Sequence, residues 1–213
     1  MYIWDLNLRL FHWLLVFLIV LSIISGKMNF LYFHQFFGSM SLGLICFRIF
    51  WGFYGTYHSR FKNTFYTPKE VFLYIRGGKS SMKKKATHNP LGNLSVISFY
   101  FLITILSLSG LFSTDDILFE GPLTFLIPEQ STFFTKIHNL FHYFIYVLIG
   151  LHLSTILFYQ FVKKQKLINQ MIDGRSRTLL IKGEKFDLKK NTLGFIVLTF
   201  SLLIPFLTLY ILT

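Results

Sequence analysis

Five of the seven histidines in this 213-residue chain stand in apolar stretches rather than polar ones: His12, His34, His138, His142 and His152. Three of them share the run from Phe133 to Phe161, FFTKIHNLFHYFIYVLIGLHLSTILFYQF. An ionisable side chain in a segment apolar enough to cross a bilayer is costly, and it marks function by default. His138 and His152 are 14 residues apart, close to four helical turns, so they project from nearly the same face. That spacing sets them roughly 21 Å apart along the axis, within a hydrocarbon core about 30 Å thick. One imidazole toward each side of a membrane is an arrangement that would ligate two stacked haems. Paired carboxylates for acid–base work, a nucleophile with its base and a phosphate-binding glycine loop are all missing, so no catalytic residue is assigned.

Elements that could position these histidines are legible in the composition. The chain is 53% hydrophobic and 19% aromatic, with 27 phenylalanines and a mean hydropathy of +0.54. A soluble domain of this length does not carry so much apolar surface. Spans are expected at about 10–26, 30–54, 94–112 and 133–161, with a fifth from Asn191 to Thr213. Trp4 and Trp13 are candidate interfacial anchors of the first span. That span is short and follows Arg9, as in a signal peptide, but His12 and Trp13 at its start and the lack of an A-x-A-like site argue against cleavage. Asn89 and Pro90 read as the cap and first turn of the third helix. The lone Cys46 excludes an intrachain disulfide and a cysteine-held iron–sulfur cluster, and no C-x-x-C-H attachment sequence occurs. Cys46 reads as a small packing residue. No internal repeat stands out.

The formal charge of +12 is explained by topology and not by nucleic acid. Segment 55–92 carries eight Lys/Arg against one acid, and segment 162–191 carries nine against three. Segment 113–132 holds four acids and one histidine-free stretch without Lys or Arg. Basic loops stay in the cytoplasm. The N-terminus is therefore expected inside, the 113–132 loop outside and the C-terminus outside. His58 and His88 fall in the basic inner loop, where solvation is expected. The small external loop leaves no room for a soluble catalytic domain, so chemistry on an external substrate calls for a partner.

This orientation sorts four histidines by depth: His12 with His152 toward the inner face, His34 with His138 toward the outer. Each layer draws one residue from each of two helices, as cofactor sites in bundle cores do. Paired axial imidazoles leave iron no open position and suit electron cycling; zinc, which wants four ligands in one place, fits less well. His142, one turn from His138, is a rival for the outer ligand. Arg48, 14 residues after His34, lies at the level of the inner layer, where a cation suits haem propionates. Arg9, one turn before His12, is a second candidate, and snorkelling to headgroups is the alternative for both. Gly38 and Gly150 would let a flat macrocycle or a helix come close.

In order along residues 4–177, Trp4-Asp5, Arg9, His12-Trp13, His34, Gly38, Arg48, Trp51-Gly52, His58, Arg60-Phe61, His88-Asn89-Pro90-Leu91-Gly92, Ile137-His138, Gly150-Leu151-His152, Met171 and Gly174-Arg175 resemble the bacterial cytochrome b561 family. That family includes the b-type cytochrome subunit of nickel–iron hydrogenases. The resemblance departs at Asn7, where proline is common, and at Asn139, where an acid often follows the outer histidine. It implies an all-α integral membrane protein, a four-helix bundle binding two haem b groups through His12, His34, His138 and His152. Residues 1–180 would form this dihaem domain, and 181–213 a basic linker with a fifth transmembrane helix. The implied activity is electron transfer between the quinone pool and a periplasmic cytochrome c or oxidoreductase subunit, more as a subunit of a complex than as a stand-alone enzyme. Two alternatives stay open: a self-sufficient quinone-reducing oxidase of a small periplasmic reductant such as superoxide, and a haem-free transporter or structural protein whose histidines relay protons.

Overall fold

The computed structural model describes residues 3–77, 89–115, 119–175 and 187–212. Eight α-helices follow one another: α1 (Leu6–Lys27), α2 (Leu31–Tyr54), α3 (Phe61–Thr64), α4 (Pro68–Ile75), α5 (Pro90–Leu111), α6 (Ser131–Leu157), α7 (Leu167–Asp173) and α8 (Leu188–Leu212). α6 continues through a π-helical turn, Phe158–Val162. Five of these helices are long and apolar enough to cross a membrane. At about 1.5 Å per residue, the 22 residues of α1 match the thickness of a hydrocarbon core.

The ends form where the sequence supplies caps. Asp5 caps α1 by accepting from the Leu8 amide at 2.7 Å, and Asn89 caps α5 by accepting from the Gly92 amide at 2.7 Å, with Pro90 at the first helical position. α5 therefore starts about one turn earlier than the hydropathy pattern indicates. Between α1 and α2 the chain reverses through Asn29, whose φ of 57° is a left-handed conformation that Asn tolerates well. In α4 the Thr67 and Glu70 side chains form a reciprocal capping box.

α2 is the hub. It packs against α1, α5 and α8, while α6 packs along α5. Among the described residues α6 makes no comparably extended contact with α1 or α2, so the bundle is open along that seam. The buried core, with Phe11, Leu44, Ile45, Phe47 and Trp51, lies on the α1–α2 side. Trp4, expected as an interfacial anchor, is buried at 8% exposure, whereas Trp13 is exposed. Cys46 is on the exposed surface of α2 rather than in packing.

α8 is wedged tightly. Pro205 lies inside it and cannot supply the amide that would bond the Ser201 carbonyl. A Cβ on Gly43 of α2 would lie 2.0 Å from that same carbonyl oxygen, so glycine alone lets the two backbones meet there. One end of α8 is fixed by Asn7, whose Nδ2 donates to the Asn191 carbonyl at 3.0 Å. A Cβ on Gly194 would come within 2.2 Å of that same nitrogen.

Candidate functional site

Two levels of the bundle collect the polar residues singled out above. Call proximal the end where α1 begins, and distal the opposite end. At the distal level His34 of α2 and His138 of α6 face each other with ring centroids 5.8 Å apart and planes at 89°. His34 Nδ1 lies 2.7 Å from the Ser22 carbonyl of α1; His138 Nδ1 lies 2.9 Å from the Leu106 carbonyl of α5. A carbonyl can only accept, so Nδ1 carries the proton in both rings and Nε2 is left with its lone pair. A backbone acceptor on one ring nitrogen is the usual support of a histidine that ligates a metal through the other.

The support is built the same way twice. Ser25 Oγ bonds the Ser22 carbonyl at 3.1 Å, and Ser109 Oγ bonds the Leu106 carbonyl at 3.2 Å. One residue on, a Cβ at Gly26 would sit 2.9 Å from His34 Nδ1, and one at Gly110 would sit 3.2 Å from His138 Cε1. Each histidine thus docks on a Ser-Gly pair at the distal end of the preceding long helix. This pair, Ser25-Gly26 and Ser109-Gly110, is a short internal repeat that the sequence reading passed over. Its signal was present in the identical dipeptides near the ends of two spans.

A cavity of about 440 Å³ separates the walls, lined among others by Ser22, Gly26, His34, Gly38, Gly110, His138 and His142. No atom would approach within 4 Å of a Cβ on Gly38, so its facing space is open. His142 lines the same cavity, yet its ring lies 3.9 Å from Tyr143 and 5.5 Å from Tyr146. His138, and not His142, is brought against His34. Gly150 likewise meets no atom.

At the proximal level stand His12 on α1 and His152 on α6. His152 stands edge-on to Phe99 at 5.3 Å. His12 Nδ1 is buried without a partner. Arg48 is only 2% exposed, which corrects the alternative of snorkelling to headgroups. Its Nε donates to the Tyr100 hydroxyl at 2.9 Å, its guanidinium lies 4.6 Å from the Phe61 ring centre, and Nη1 has no partner. Among the described residues the single ion pair is Lys190–Asp187, so no carboxylate neutralises this buried cation. Arg9 is engaged differently: its Nη1 donates to the Ile172 carbonyl at the C-terminal end of α7, beside Trp13 Nε1, which donates to the Met171 carbonyl at 3.2 Å. Gly174, at a φ of 74°, closes this clasp by accepting from the Ile3 amide at 2.8 Å; left-handed backbone there favours glycine.

One further expectation changes. His58 is buried at 6% exposure rather than solvated, in the loop where Thr56 Oγ1 and Trp51 Nε1 both donate to Asp5 at 2.6 and 3.0 Å. His88 lies outside the described residues. No group of three or more His, Cys, Asp or Glu converges to hold a metal ion among the described residues.

The residues present fit the haem groups expected from the sequence. Metal–imidazole bonds of about 2 Å on opposite sides of one metal place ring centres roughly 6 Å apart, and His34 and His138 are at that separation. The unneutralised guanidinium of Arg48 is what carboxylates on such a group would satisfy.

No curated protein matches the chain. No solved structure matches it either. The family model described as prokaryotic cytochrome b561 matches residues 3–174, which spans both histidine levels and the Gly174 clasp and ends before α8. With five apolar helices and paired histidines at two depths already in place, that match over most of the sequence is decisive: this chain belongs to the prokaryotic cytochrome b561 family of membrane-bound, haem b electron-transfer proteins.

Proposed function

We propose that the chain is a dihaem cytochrome b that passes electrons across the cytoplasmic membrane between a periplasmic redox partner, a cytochrome c or an oxidoreductase subunit, and the quinone pool. The observation that carries this reading is the distal pair, two imidazoles 5.8 Å apart with both Nδ1 protons committed to carbonyls. His34 and His138 would hold one haem, His12 and His152 the other, and each would supply one-electron cycling without an open iron position. The chain's own residues do the rest. Ser22 and Leu106 fix the tautomer and aim of the distal ligands, Arg48 supplies positive charge at the proximal level, and Arg9 holds α7 against the start of α1. With the basic segments in the cytoplasm, the proximal level faces inward and the distal level outward.

A reduced-minus-oxidised visible spectrum of the detergent-purified protein, with haem quantified per polypeptide, tests this. Two haems b per chain are expected. A colourless protein from haem-replete cells sinks the reading and leaves the histidines to be explained as a proton path.

A further inference from the structure

The distal cavity contains a charge that the histidines do not explain. Lys27 ends α1 at the distal end of the bundle, where a lysine ordinarily extends toward headgroups and water. It turns the other way. Side chains on a helix lean toward its N-terminus, and the Lys27 ammonium lies 5.6 Å from the ring centre of Tyr146 on α6. Tyr146 is eight residues deeper along α6 than His138, about 12 Å along the axis. Lys27 therefore reaches across the cavity from the α1 wall to the α6 wall. It is also the one Lys or Arg among the described residues lining that cavity, and Asp115 is the one acid. No ion pair joins the two, since the single pair among the described residues is Lys190–Asp187. Lys27 is an exposed residue, so its ammonium is available at the cavity's edge, where it can pair with an anionic group seated in that space.

We infer that Lys27 binds a carboxylate side arm of the haem seated between His34 and His138, and so raises that haem's potential. The inference rests on the axial pairing proposed above. A cation there favours the reduced form, which carries one positive charge fewer, so its loss lowers the potential of the distal haem alone.

The test compares full-length Lys27→Gln and Lys27→Arg with the unaltered chain, measuring haem per polypeptide and both midpoint potentials by equilibrium redox titration. Lys27→Gln is expected to keep two haems and to lower one potential, by about a tenfold change in ferrous-to-ferric ratio, or 59 mV for a one-electron couple. The other potential stays, and Lys27→Arg restores the first. Loss of one haem from Lys27→Gln with retention in Lys27→Arg supports the same contact. Unchanged potentials, an equal shift of both, or failure of arginine to rescue overturns it. The axial pairing fails separately, if His34→Ala retains both haems.

Discussion

At His34 and His138 the chemistry of one ring nitrogen decides the role of the other. Replacing His34, His138, His12 or His152 by Ala is expected to leave one haem per chain, half the unaltered content, whereas His142→Leu keeps two; pyridine haemochrome assay against polypeptide concentration distinguishes them. Gly26→Val is expected to lose one haem as well, because its Cβ alone would stand 2.9 Å from His34 Nδ1. Retention of both haems in Gly26→Val would show that the ring can move aside. Asp5→Ala removes the α1 cap and the acceptor of Trp51 and Thr56, and about 1–3 kcal/mol of stability should go with it, read as a lower denaturation midpoint in detergent. The histidines proposed as ligands stood out because an apolar background makes each imidazole conspicuous. Ser22 and Leu106 were not, since they contribute backbone carbonyls that any residue possesses, and Lys27 read as an ordinary end-of-helix cation.

The long helices were legible from hydropathy, and so was the Asn89 cap with Pro90 that opens α5. What hydropathy could not convey was which helix touches which. α8 read as an appended span with no evident role; its Pro205 and the glycines it meets, Gly43 and its own Gly194, make it an integral neighbour of α2. Gly43→Val is expected to push α8 off the Ser201 carbonyl and cost about 1–3 kcal/mol through overpacking, measured as a lower midpoint of thermal unfolding. An unchanged midpoint would mean that α8 shifts freely along α2. α4 carries exposed Phe72 and Ile75 beside Arg76, whose guanidinium lies 4.3 Å from the Phe72 ring centre, the mixed apolar and basic character of a helix at a membrane surface.

Over the whole sequence, 17 of the 21 Lys/Arg fall in segments 55–92 and 162–191. The proposed orientation predicts cytoplasmic reporters active after Arg76 and after Lys164, and a periplasmic reporter active after Glu120; the reverse pattern would exchange the haems' assignments to the two faces. The two-layer arrangement was readable because orientation turns sequence position into depth. The empty space between the layers' walls was not readable, since it arises from a contact that α6 does not make.

That missing contact bears on how the protein is assembled. A sheet of packed helices, α1–α2–α8 with α5, can form on apolar burial alone, and α6 is tethered to it chiefly through α5. On the dihaem reading, the seam between α6 and α1, which lacks an extended helix contact, is the side on which this packing would admit a flat, oily prosthetic group from the bilayer. α6 would then close last, like a cover on a book, with the proposed histidine bonds as the clasp. A chain starved of haem should accordingly be cut or labelled first along α6, while α1 and α2 stay protected.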